Sequence, residues 1–188
     1  MVLEILGLSL IIGKIKGGKI KNLSQIHIKG WYVFLLGFIL ELISLWIFAN
    51  KTGNIANMFI DNFLIIQTLI YTLLIFTLGL NINKKGIKTI IIGNLLNFIP
   101  IISNNGRMPV SKTALIKSNL FTQLKLLEKG KILTHVLAEN NTRFYYLSDI
   151  ISISKPYPFP KIISIGDILI GIGIFLLIQF HMKDLNKY

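Results

Sequence analysis

Long apolar runs separated by short polar breaks set the pattern of this chain. Val2 to about Ile15 is apolar apart from Glu4 and Lys14, and Trp31 to Phe48 is interrupted near its middle by Glu41. Met58 to Leu80 has Asp61 and Asn62 at its start, followed by a polar stripe of Gln67, Thr68, Tyr71 and Thr72. Thr89 to Ile102 carries Gly93, Asn94 and Asn97 on one face and is expected to break at Pro100. Ile162 to Phe180 carries Asp167 one turn inside its start. A membrane span needs about 20 apolar residues, and about 17 is the usual minimum. The pattern therefore predicts about five transmembrane helices. The first is short, so a helix lying at the membrane interface is the alternative to a span. A cleaved signal peptide is not expected, because no small-x-small site follows the run.

The only sizeable polar stretch, residues 103–161, predicts a membrane-proximal cap between helices four and five. The turn Asn104-Asn105-Gly106 leads into it. Ser111 is placed to cap a helix and Gly130 to stop one, with Leu115, Leu120, Phe121, Leu124 and Leu127 near helical spacing between them. One amphipathic helix or two short ones should form there. Residues 131–154 read as either a hairpin turning at Asn140-Asn141 or a helix capped by Thr142 and running through Arg143 to Ile150, and the helix is preferred. Pro156, Pro158 and Pro160 then favour an extended return to the membrane. The expected fold class is all-α, a polytopic membrane bundle, with helices one to four in 1–102, the cap in 103–161, and helix five with a short tail in 162–188.

Composition agrees with that class. The mean hydropathy is +0.66 and only 15% of residues are charged, against about 25% in an ordinary soluble domain. Lys and Arg outnumber Asp and Glu by 20 to 8, but the lysines cluster in loops between apolar runs, so nucleic acid is not an expected partner. Five lysines fall in the first loop, one in the second and three in the third. By the positive-inside rule the first and third loops face the cytoplasm of a bacterial inner membrane, with the N-terminus and cap outside and the C-terminus inside. Lys14, Lys16, Lys19 and Lys21 in the first loop also suit anionic lipid headgroups. The expected partners are the bilayer itself and another membrane protein. The absence of cysteine excludes thiol chemistry and disulfides.

Candidate chemistry falls into two groups. Glu41, Gln67, Asn94 and Asn97 form a candidate intramembrane site, since polar groups in apolar helices are costly unless they find partners. A neutral Glu41 bonded to Asn94 or Tyr71 is the structural alternative. Asn105, Arg107, His135, Asp149 and Asp167 form a candidate site at the outer mouth, with Arg107 or Lys161 within reach of Asp167. Asp167 also suits the helix dipole as an N-terminal charge. Neither group matches a catalytic, cofactor or metal motif. Ser111 and His135 lack any nucleophile-elbow signature, and the N-cap role accounts for the serine.

Asn104-Asn-Gly106-Arg-Met108-Pro-Val-Ser111, Ala114-Leu115, His135, Leu147-Ser-Asp149-Ile-Ile and Ser164-Ile-Gly166-Asp167 together resemble an uncharacterised bacterial family of small multi-pass membrane proteins. The basic, glycine-rich Gly13–Leu23 loop resembles the same family. The resemblance implies multi-pass topology and no assigned activity. Three functions stay open. The first is a non-enzymatic accessory or assembly protein, the second a small membrane enzyme or lipid-binding protein using the outer mouth, and the third an ion or small-solute carrier using Glu41.

Overall fold

A computed structural model describes residues 1–50 and 53–183. The described chain is mostly helical. Five long helices run back and forth: α1 (Val2–Ile15), α2 (Trp31–Asn50), α4 (Phe63–Gly79), α5 (Ile87–Ser103) and α8 (Ile165–Met182), with the short α3 (Asn54–Asp61) before α4. The cap holds β1 (Met108–Val110), α6 (Lys112–Lys117), α7 (Phe121–Glu128), β2 (His135–Leu137), β3 (Ile151–Ile153) and β4 (Lys161–Ile163).

Among the described residues two helices are long and apolar enough to cross a membrane, α2 with mean hydropathy 2.2 and α8 with 1.9. Helices α4 and α5 are apolar but have 17 residues each. Large apolar side chains project from every long helix, among them Leu3, Ile11, Phe34, Trp46, Ile65, Phe76, Ile92 and Ile172.

The helices pack in two groups. Helix α8 lies against α5 and α1, and α2 packs mainly on α4. Gly86 and Gly93 at the start and middle of α5 face Gly173 and Gly166 of α8. A Cβ on Gly93 would stand 2.6 Å from the Gly166 carbonyl oxygen, and one on Gly173 would stand 2.7 Å from the Gly86 carbonyl oxygen. Only glycine lets two backbones come this close. Helix α2 is looser, since a Cβ on Gly37 would have Leu73 Cβ as its nearest neighbour, at 3.7 Å.

The lysine-rich turns meet at the end of the bundle opposite the cap. The Lys19 amide donates to the Met182 carbonyl at 2.8 Å, and Asn81 exchanges hydrogen bonds with the Lys29 backbone at 2.8 and 2.9 Å. At the cap end, Glu4 of α1 pairs with Lys161 of β4 and accepts from the Tyr157 hydroxyl at 2.9 Å.

Several expectations change. The cap is not purely helical: β1 pairs in parallel with β2, Met108 opposite His135 and Val110 opposite Leu137, and β3 pairs antiparallel with β4. Its core is Val110, Leu115, Leu124 and Leu127, so α6 and α7 are two short helices folded onto strands. The preferred helix through 143–150 does not form. Phe144 adopts a left-handed φ of +54°, which a helix cannot contain, and only a single 3-10 turn, Tyr145–Leu147, follows. Thr142 accepts from the Glu139 amide and closes the turn around Asn140-Asn141 instead of capping a helix.

Helix three of the sequence reading is divided at Asn62, whose side-chain amide donates to the Met58 carbonyl at 2.8 Å. Helix four runs through Pro100 to Ser103, because so close to the end the ring sacrifices one backbone bond and little helix follows. The Asn104 side-chain amide donates to the Pro100 carbonyl at 2.7 Å at the end of the helix. Helix five starts at Ile165, after strand β4. Ser164 and Asp167 form a reciprocal capping box, which realises the N-terminal role expected of Asp167. Most of the C-terminal tail, 184–188, lies outside the described residues.

Candidate functional site

Strand β1 is the part of the cap that assembles the site. The turn from α5 uses Asn105 and Gly106 in left-handed conformation, with φ of +55° and +79°. A Cβ on Gly106 would meet the Leu64 Cα at 2.8 Å, so glycine is what lets the turn press against the start of α4. The Met108 amide then donates to the Thr134 carbonyl at 2.9 Å, which sets His135 alongside. On the other edge the Asp149 amide donates to the Pro109 carbonyl at 3.0 Å, and Ser111 donates back to Asp149 at 2.9 Å. The Met-Pro-Val segment thus holds His135 on one side and Asp149 on the other. Their side chains meet, with His135 Nε2 3.6 Å from the Asp149 carboxylate. His135 Nδ1 lies 2.7 Å from the Thr134 hydroxyl. When Thr134 donates to Nδ1, the ring proton sits on Nε2 and faces Asp149.

This pair overlooks a cavity of about 260 Å³ between the helix bundle and the cap. Glu41 reaches it from α2, and Gln67, Ile70, Tyr71 and Leu74 from α4. Asn97 and Ile101 come from α5, Asp167 from α8, and Gly106, Met108, Thr134, His135 and Asp149 from the turn and cap. The intramembrane and outer-mouth groups of the sequence reading thereby share one space through six of their members: Glu41, Gln67, Asn97, His135, Asp149 and Asp167. Asn94, Asn105 and Arg107 do not line it. Asn94 is buried and donates to the Ile90 carbonyl at 2.9 Å, so it does not reach Glu41. Asp167 meets neither Arg107 nor Lys161. It accepts from Asn97 at 3.0 Å and from the Ser164 amide at 3.2 Å, while Lys161 is taken by Glu4.

Charge in the cavity runs against that of the whole chain. Three of the eight acidic residues line it, and no lysine or arginine among the described residues does. Asp149 is 8% exposed, and burial holds its carboxyl above the ordinary value of 3.8, with the His135 imidazole working in the opposite direction.

The two walls differ in hydrogen bonding. On the α5–α8 side Asn97 donates to Asp167 and accepts from the Ser164 hydroxyl at 2.6 Å. On the α2–α4 side the Gln67 side chain is only 5% exposed, yet its amide has no hydrogen-bond partner among the described residues. The Glu41 carboxylate and the Tyr71 hydroxyl likewise have none there. The Tyr71 ring stacks on Phe98 with centroids 5.1 Å apart, which fixes the ring against α5.

Sequence reasoning passed over Thr134 as a site residue, placed Met108 at the outer mouth only as part of the family motif, and named Tyr71 only as a partner for Glu41. Adjacency to His135 is the one signal that could have pointed to Thr134. Ser111 sits outside this cavity. Its hydroxyl accepts from the Ala114 amide at 3.3 Å as a helix N-cap and bonds Thr113 and Tyr145, not His135.

Residues 25–179 match a family described as a family of unknown function, DUF5317. The chain belongs to the DUF5317 family. The matched region contains every residue that lines the cavity. An uncharacterized protein of Thermotoga maritima is 28% identical over 176 residues, covering 94% of this chain and 89% of the relative. No solved structure matches the chain.

Proposed function

We propose that this DUF5317 protein is a multi-pass protein of the bacterial cytoplasmic membrane that admits a small cation into the cavity between bundle and cap, as a carrier or receptor. The observation that carries the proposal is the composition of that cavity: three carboxylates, one histidine, two amides and, among the described residues, no lysine or arginine, in a chain of net charge +12. Such a lining attracts cations and repels anions. It speaks against an anionic headgroup as the occupant.

Five spans accord with the alternating directions of α1, α2, α4, α5 and α8 and with the apolar side chains that project from each of them. The lysine-rich turns at one end and the cap at the other support a cytoplasmic face at Lys14–Lys29 and Lys84–Lys88, with the cap outside. Lys14, Lys16, Lys19 and Lys21 would then lie beside anionic lipid. The accessory reading gains no specific support, because an apolar surface that faces lipid and one that faces a partner helix look alike.

The test is thermal unfolding of the full chain in lipid nanodiscs against a panel of inorganic and organic cations. A ligand that binds only the folded state at about 100 times its Kd adds roughly 2.7 kcal/mol of stability. Saturable stabilisation by at least one cation, lost in an E41Q/D149N double variant, is the expected result. A flat response across the panel would overturn the proposal.

A further inference from the structure

We infer that the cation is a small primary ammonium compound with a short apolar body, its N–H groups held by Glu41 and Gln67. The inference rests on the cation reading of the same cavity and specifies the occupant.

The first ground is unmet hydrogen bonding. Gln67 is 95% withdrawn from solvent by its 5% exposure, opens into the cavity and has no partner among the described residues. No buried side-chain nitrogen or oxygen among the described residues lacks a partner, so the Gln67 amide, which has none, reaches the open space of the cavity, where a ligand can meet it. The Glu41 carboxylate across from it on α2 is equally without a hydrogen-bond partner among the described residues. A carboxylate and an amide oxygen ask for N–H donors, and a primary ammonium has three.

The second ground is donor geometry. Among the described residues no three His, Asp or Glu side chains stand close enough to hold one metal ion. Metal ions draw their ligands to about 2.0–2.6 Å, whereas these carboxylates belong to α2, α8 and the cap. Asp167 is further committed, with one oxygen to Asn97 and the other to the Ser164 amide.

The third ground is the rest of the lining. Ile70, Leu74 and Ile101 offer a hydrated metal ion nothing, but they suit an alkyl chain. A volume near 260 Å³ falls below the roughly 300–1,000 Å³ typical of drug-sized ligands, so the body is short. A quaternary ammonium would need an open aromatic cage, and Phe98 covers one face of Tyr71.

The experiment is calorimetric titration of the full chain in nanodiscs with n-butylammonium, tetramethylammonium, n-butanol, magnesium and zinc. Saturable binding of n-butylammonium is expected, with tetramethylammonium and n-butanol at least about 10-fold weaker, since each lacks either the N–H donors or the charge. E41Q should weaken n-butylammonium by about 10-fold or more, and Q67L by about 5-fold. Should E41Q fail to fold, Q67L and the comparison of probes decide on their own. Equal binding of tetramethylammonium or n-butanol overturns the inference. Binding of a metal ion without n-butylammonium also overturns it while leaving the cation cavity standing. No binding by any cation removes both.

Discussion

The two halves of the bundle solve the problem of polar groups among apolar helices in opposite ways. In the α5–α8 half, glycines bring the backbones into contact, and each amide or carboxylate at the seam has a protein partner. Asn97, Asp167 and Ser164 close a small network in which donors and acceptors answer one another. In the α2–α4 half the packing is looser, and Glu41, Gln67 and Tyr71 face the cavity with no hydrogen-bond partner among the described residues. A buried polar group is inexpensive when satisfied and costly when not. The first half therefore carries the marks of scaffold. The second holds hydrogen-bonding capacity that the fold does not consume, which is what a binding surface requires.

Substitutions at the two helix seams should break this comparison most sharply. G93A places a methyl group 2.6 Å from the Gly166 carbonyl oxygen and should cost about 1–3 kcal/mol. G37A meets nothing closer than 3.7 Å, and replacing a helical glycine should leave stability unchanged or raise it by up to about 1 kcal/mol. Unfolding midpoints of the two variants in the same nanodiscs check the pair, and equal losses would contradict the contrast.

Amide substitutions come next in size. N97A removes bonds to Asp167 and Ser164 and should cost about 1–3 kcal/mol. Q67L removes no protein hydrogen bond and should leave stability unchanged or slightly higher without added cation. The same unfolding measurement distinguishes them. A large loss in Q67L would mean that Gln67 belongs to the scaffold.

The smallest effect is on pH dependence. Because burial raises Asp149, the folded state keeps this proton to higher pH than the unfolded chain does. Its contribution to stability is then greatest below the ordinary value of 3.8 and falls as pH rises to the raised folded value. Above that point it is constant. Unfolding midpoints across that window should show the decline in the native protein, and D149N should remove this component.

Much of the bundle was legible because apolar runs and lysine clusters are local signals. So were the Ser111 cap and the helix-start role of Asp167, which depend on spacings of three residues. Glu41, Gln67 and Asn97 stood out as polar groups in apolar segments, and His135 and Asp149 as rare chemistry in the cap. That the two sets share one cavity was not legible. It depends on β1 pairing with residues 27 or more positions away, and no periodicity encodes such a pairing. The mistaken helix at 143–150 has a similar origin. The left-handed Phe144 is held by its surroundings, where Asn104 clamps the Arg143 backbone through two hydrogen bonds of 2.9 and 3.1 Å. A phenylalanine in that conformation leaves no trace in sequence.

The most direct measurement is infrared difference spectroscopy of the membrane-reconstituted protein as n-butylammonium is washed on and off. The expected result is a reversible carboxylate band that disappears in E41Q and persists in G37A. No band, or a band that survives in E41Q, would contradict the assignment of the open α2–α4 wall as the binding surface.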